Sequence, residues 1–111
     1  MPLKNPAFTA YVFLEDMTKD SYFPTFLVQK AQRYIEGLCA QVEATAPDSE
    51  QMLELCHGVT EAFNDLEDEF DANDSQLETA ARDALGRDFA FILRAYGYQI
   101  DAEDAMAPRN W

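Results

Sequence analysis

Apolar residues recur every three or four positions through most of the chain, a spacing typical of amphipathic α-helices. One such segment begins at Pro24 and ends at Pro47, and two prolines are natural limits for a helix. Its apolar positions fall on one face: Leu27, Ala31, Tyr34, Ile35, Leu38 and Val42. The segment predicts one long helix with a single buried side.

The next segment has the most regular spacing. Asp48 and Ser49 are candidate N-caps, and the sequence "DAND" from Asp71 to Asp74 marks its end. Successive apolar positions step by 4, 3, 4, 3 and 4 residues: Met52, Cys56, Val59, Phe63, Leu66 and Phe70. This narrow, heptad-like stripe predicts a helix that is polar around most of its circumference.

A further helical segment begins at "SQLE", Ser75 to Glu78, which has the pattern of a capping box. Gly97 is placed as its C-cap. Ile100 and Asp101 then predict the start of a short final helix that Pro108 ends. The apolar face of the longer segment is Leu77, Ala81, Ala84, Leu85, Phe89, Ile92 and Tyr96.

The N-terminal region predicts one more helix, because Asn5 followed by Pro6 has the pattern of an N-cap with proline at the first helical position. We expect this helix to run to about Met17. No sustained alternation of apolar and polar residues predicts a strand. The sequence therefore predicts a single all-α domain over residues 1–111, an up-and-down bundle of about four helices plus a short C-terminal helix.

The charge is strongly negative and uneven. The chain has 21 acidic and 8 basic residues, for a net charge of −13, and residues 48–111 carry −12 of it. Such a surface disfavours nucleic acid and anionic membranes and favours a basic partner or cations. The sequence shows no secretory leader or membrane span, so two cysteines suggest reduced thiols and a cytoplasmic location.

Seven carboxylates lie within residues 64–78, "NDLEDEFDANDSQLE", with no basic residue among them. A solvated helix face followed by a turn is the simplest interpretation. Like charges one turn apart repel, however, and anions near a helix C-terminus oppose its dipole. A functional acidic surface is therefore the competing interpretation, and its predicted partner-binding residues are Asp65, Glu67, Asp68, Glu69, Asp71 and Asp74.

Two stretches of the sequence partly match metal-site patterns, and neither match predicts a cofactor. An EF-hand loop that starts at Asp71 would need Gly at its sixth position and Glu at its twelfth, where the chain has Gln76 and Arg82. Glu54 and His57 have the Glu-x-x-His spacing of di-iron bundles, but the chain has one histidine. Helical geometry places His57 off the apolar stripe, so we expect it to face solvent near Glu61.

Asp88 lies inside the apolar stripe of the fourth segment. A buried hydrogen-bond anchor is the main interpretation, and a general acid with raised pKa is the alternative. Cys39 and Cys56 are expected at the same level of a helical hairpin, as two buried thiols. No catalytic residues are predicted, because the serines fall at turns and no triad or phosphate loop is visible.

Several segments together resemble a family of small, acidic, mostly helical bacterial proteins of unknown function: "FLEDMTKDSYFP", "FNDLEDEF", "LETAARDAL", "DFAFILRAYGY" and "APRNW". The resemblance begins around Tyr11 and covers nearly the whole chain. It implies a bacterial, cytoplasmic, stand-alone domain and transfers no catalytic or ligand residues.

The leading hypothesis is a non-enzymatic, immunity-like or antitoxin-like module that binds a basic protein through the acidic stretch of the third helix and the following turn. The alternative is a small metal-binding or acid/base protein that uses Glu54 and His57 or Asp88. A homodimer formed through the aromatic ends is a further hypothesis.

Overall fold

Three long α-helices and three short helical segments make up the computed structural model, which describes residues 3–75, 77 and 79–111. The all-α prediction is confirmed, and the described residues contain no strand. The elements in chain order are a 3-10 helix at Pro6–Phe8, α1 at Glu15–Thr18, α2 at Thr25–Thr45, α3 at Ser49–Ala72, α4 at Thr79–Ala95 and α5 at Ala102–Ala105.

Helices α2 and α3 form an antiparallel pair. The Lys30 ammonium lies 2.9 Å from Glu69, while the rings of Tyr34 and Phe63 lie 6.4 Å apart, so residue numbers rise on one helix as they fall on the other. The predicted cap at Asp48 is confirmed, because its side chain accepts from the Gln51 backbone N–H in a full capping box.

The predicted stripes form the core. All six apolar positions predicted for α3 are buried, as are all those predicted for α2 except Tyr34, which is half-buried. Cys39 and Cys56 are free thiols within this core, as predicted, and burial raises the pKa of each to about 12. The apolar residues of α4 close the third side of the same cluster.

Two caps were predicted for α4, and only the C-terminal one lies entirely within the described residues. The proposed capping box at residues 75–78 includes Gln76 and Glu78, which lie outside the described residues. At the other end Gly97 has φ of +81°, and the Tyr98 backbone N–H donates to the Leu93 carbonyl at 2.8 Å. This is a Schellman-type C-cap, so the predicted role of Gly97 is confirmed.

The prediction of one N-terminal helix from Pro6 to about Met17 is wrong. The 3-10 helix ends at Phe8, and α1 begins only at Glu15. Leu14 is buried with φ of +55°, in the left-handed region, which interrupts any continuous right-handed helix at this point. In a continuous helix the Leu14 N–H would bond to residue 10, but here it donates to the Asp88 carboxylate at 2.7 Å.

The C-terminal segment is held by polar side chains on one flank of α3. Thr60 Oγ1 donates to the Ala105 carbonyl at 2.9 Å, and Asn64 Nδ2 donates to the Pro108 carbonyl at 2.9 Å. Asn64 Oδ1 accepts in turn from the Asn110 backbone N–H at 2.8 Å. The side of α3 next to its apolar stripe is therefore covered by the last residues of the chain.

Alanine at Gly37 or at Gly97 should change stability through the backbone conformation alone, because a Cβ atom at either position would meet no heavy atom within 4 Å. Gly37 is in the middle of α2, so we expect Gly37→Ala to raise the free energy of unfolding by about 0.5–1 kcal/mol. Gly97→Ala should lower it by about 1 kcal/mol, because an alanine is strained at positive φ. Urea unfolding followed by circular dichroism measures both, and effects of equal sign would contradict the assignment.

Candidate functional site

The acidic surface comprises the six predicted partner-binding residues, and the structure spreads them around the C-terminal half of α3 and the turn after it. Asp65 and Asp68 are exposed on the side opposite the buried stripe. Asp71 is exposed at the end of the helix, and Asp74 is exposed in the turn with φ of +57°. Four of the six carboxylates thus face solvent freely.

The other two residues of the acidic surface have a different environment. Glu69 is half-buried, and both of its carboxylate oxygens lie 2.9 Å from the Lys30 ammonium. Among the described residues it is the only member of the acidic surface in an ion pair. Glu67 is half-buried on the flank nearer the C-terminal segment. These two are therefore less available to a partner than the four exposed aspartates.

An exposed aromatic side chain lies beside this acidic surface. Phe26 is 58% exposed, whereas Phe23, three residues earlier, is 5% exposed and belongs to the core. Phe26 precedes Lys30 by one turn of α2, and since Lys30 meets Glu69, the antiparallel pairing places Phe26 level with the turn at Asp74.

His57, which the sequence predicted to face solvent near Glu61, is partly exposed and contacts the C-terminal segment instead. Its ring is half-buried, and Nε2 lies 2.7 Å from the Asp104 carbonyl oxygen. A carbonyl can only accept, so Nε2 must carry the hydrogen and donate. Glu54 is exposed and lines a different groove, between α2 and α3, with Gly37 and Gly58. No group of three His, Cys, Asp or Glu side chains suited to a metal ion occurs in the described part of the chain.

Asp88 is the buried anchor that the sequence predicted. It is 0% exposed, and its Oδ1 accepts from the Tyr11 hydroxyl at 2.7 Å while Oδ2 accepts from the Leu14 backbone N–H at 2.7 Å. The Asp88 carboxylate on α4 thereby holds the residues on both sides of Phe13. Both oxygens are occupied and closed off from solvent, so this geometry supports a structural role.

Burial raises the pKa of Asp88 to about 6, because desolvation of the charged form outweighs the hydrogen bonds from Tyr11 and Leu14 that favour it. The same burial, reinforced by the neighbouring carboxylate, raises the pKa of the Tyr11 hydroxyl. Arg87, next in sequence, contacts Asp16 at 3.1 Å and lowers the pKa of Asp88 by less than burial raises it. Asp88 therefore lacks a buried ion-pair partner of the kind that would keep it fully ionised.

Taken together, the fold and surface define a small all-α protein with a three-sided helical core and one strongly acidic side. The chain belongs to a family described as a family of unknown function, DUF5713, whose model matches residues 7–111. The resemblance noted in the sequence is thus confirmed at the level of the family. No curated protein and no solved structure matches the chain. No helix among the described residues has the length and apolarity needed to cross a membrane.

The raised pKa of Asp88 predicts how stability depends on pH. The folded state holds this proton up to about pH 6, and the unfolded state releases it near the ordinary value of 3.8, so the stabilising contribution decreases as pH rises between these values. Asp88→Asn does not titrate and has nearly the same shape. The free energy of unfolding of the wild type minus that of Asp88→Asn should therefore fall by about 2 kcal/mol between pH 4.5 and 7.5.

Urea unfolding of both proteins across this pH range, followed by circular dichroism, measures the difference directly. Contributions from other carboxylates, such as Glu43 with its pKa lowered by the Tyr96 hydroxyl, are shared by both proteins and cancel. A difference that stays flat, or that grows in favour of the wild type as pH rises, would contradict the raised pKa.

Proposed function

We propose that this protein is a non-enzymatic binding module that recognises a basic protein through its acidic surface. The observation that carries the proposal is the set of exposed carboxylates at Asp65, Asp68, Asp71 and Asp74, none of which is paired with a cation among the described residues. Their mutual repulsion opposes folding slightly, and a cationic partner would relieve it.

Phe26 supports the same proposal from a different direction. Interfaces derive most of their affinity from a few large side chains at the centre, surrounded by polar contacts that exclude water. An aromatic ring exposed level with Asp74 would supply such an anchor, with the carboxylates providing orientation and fast association. The partner would accordingly present lysine or arginine side chains around an apolar pocket.

Inhibitors of the immunity or antitoxin class suit this description, because such proteins cover basic surfaces of their targets with carboxylates on a rigid scaffold. We propose that class as the best match. The bacterial, cytoplasmic setting remains part of the proposal, and the two buried free thiols are compatible with a reducing compartment. Asp88 and the pair Glu54 and His57 have no part in it, since Asp88 is closed to solvent and His57 is bonded to backbone.

Neutralising the exposed aspartates should abolish partner capture. The variant Asp65→Asn/Asp68→Asn/Asp71→Asn/Asp74→Asn removes four charges without changing side-chain size, and asparagine tolerates the positive φ at position 74. The matched control removes four exposed charges elsewhere: Glu36→Gln/Glu50→Gln/Glu54→Gln/Asp83→Asn. Affinity capture from a native host with quantitative mass spectrometry should recover the same basic protein with wild type and control, and not with the first variant.

Equal recovery by both neutralised variants would show that the acidic surface serves solvation only. Measured association of the captured partner should also slow as salt increases, because exposed charges are screened over about 8 Å at physiological ionic strength. An affinity that does not depend on salt would contradict an electrostatic interface.

Phe26→Ser should weaken the captured complex by about tenfold or more if this ring is an anchor. Removing an exposed phenyl ring should leave the free energy of unfolding nearly unchanged, so the effect can be separated from misfolding. Val12→Ser, which alters another exposed apolar side chain on a different segment of the chain, is the control. Light scattering of both variants tests the homodimer hypothesis, and a change of mass with Phe26→Ser alone would reassign the ring to self-association.

A further inference from the structure

The outer side of α4 is basic, in contrast to the rest of this acidic protein. Arg82, Arg87 and Arg94 lie on α4, while its two acidic residues are Asp83, which is exposed, and Asp88, which is buried. Arg87 and Arg94 are two helical turns apart and therefore project from the same side of the helix. A groove of about 420 Å³ runs between them, bounded across from α4 by Tyr11, Val12 and Glu15.

Among the described charged side chains around this groove, Arg94 is a cation that can still bind an anion. The two neighbouring carboxylates are already paired, Glu15 with Lys19 at 3.2 Å and Asp16 with Arg87 at 3.1 Å. Arg94 is exposed, and its guanidinium has no hydrogen-bond or ion-pair partner in the described part of the chain. A guanidinium offers a planar fork of donors that matches the oxygens of a carboxylate or phosphate.

The floor and one wall of the groove are apolar. The rings of Tyr11 and Phe91 stack with centroids 4.0 Å apart and planes inclined by 14°. Val12 is 43% exposed beside them, and Ala90 leaves space between the two arginines. Asp88 fixes Tyr11 through its hydroxyl, so this aromatic floor is held in place before any ligand arrives. A volume of about 420 Å³ is within the usual range of small-molecule sites.

We propose that this groove binds a small organic anion, with a carboxylate or phosphate group on Arg94 and a flat apolar group over Phe91 and Val12. The site is on α4 and the N-terminal segment, whereas the acidic surface is on α3, so it is independent of the proposed protein partner. An anion must approach a chain of net charge −13, and the local basic side of α4 is the part of the surface that offsets this repulsion.

Phenyl phosphate and benzoate are suitable probes because both combine one ring with one anionic group. Titration of the ¹⁵N-labelled full chain with each, followed by two-dimensional NMR, should give saturable shifts confined to residues 11–15 and 87–94. Benzyl alcohol, which has the ring without the charge, should give none. The anion that saturates at lower concentration identifies the preferred headgroup.

Arg94→Gln should weaken binding by about tenfold, which corresponds to the loss of one charge-assisted hydrogen bond. Arg82→Gln removes the same charge from the same helix outside the groove, and it should change the affinity by less than about twofold. The thermal unfolding midpoint of Arg94→Gln should stay close to that of the wild type, since Arg94 has no ion-pair or hydrogen-bond partner to lose among the described residues. Absence of saturable shifts with both anions, equal binding by Arg94→Gln, or equal binding of benzyl alcohol would overturn the proposal.

Discussion

The narrow apolar stripe of α3 is the constraint on which the rest of the structure depends. Only about one face of this 24-residue helix can be buried, because charged and polar residues occupy most of the remaining positions. Its two flanks are used differently: Lys30 of α2 pairs with Glu69 on one side, and the C-terminal segment bonds to Thr60 and Asn64 on the other. What remains is a strip of carboxylates that no other element in the described part of the chain covers.

The buried carboxylate of Asp88 has a comparable influence on the N-terminal region. It accepts hydrogen bonds from Tyr11 and Leu14, 77 and 74 residues away in sequence, and so ties a non-helical segment to α4. Burial raises the pKa of this group to about 6, and the carboxylate in turn accepts from the buried Leu14 N–H and the partly buried Tyr11 hydroxyl. The groove beside Arg94 exists because this anchor holds Tyr11 over Phe91.

The molecule consequently presents surfaces of opposite charge on different helices. The strip on α3, which lies beside the exposed ring of Phe26, is the surface that we propose for the cationic side chains of a protein partner. The groove at α4 is concave and small, and its aromatic floor suits a compact ligand. Binding at one surface need not compete with binding at the other, since they share no residue.

The sequence by itself determined the helices of the core, because burial of one helix face requires a period near 3.6 that every residue of a stripe must obey. It also determined the caps at Asp48, Gly97 and Asp101, which depend on neighbours only two to five residues away. The position of Asp88 within an apolar stripe was sufficient to predict a buried anchor. Local patterns of this kind do not depend on which helices become neighbours.

Only the tertiary structure decided which side chains meet across elements. The N-terminal segment is not a continuous helix because Asp88 competes for its backbone donor, and His57 is half-buried because the last residues of the chain return to α3. Phe26 is exposed although its neighbour Phe23 is buried, and Arg94 faces a groove that α4 and Tyr11 form together. Each of these outcomes depends on contacts between residues far apart in sequence, whose free energies are set by the packing of whole helices rather than by any local pattern.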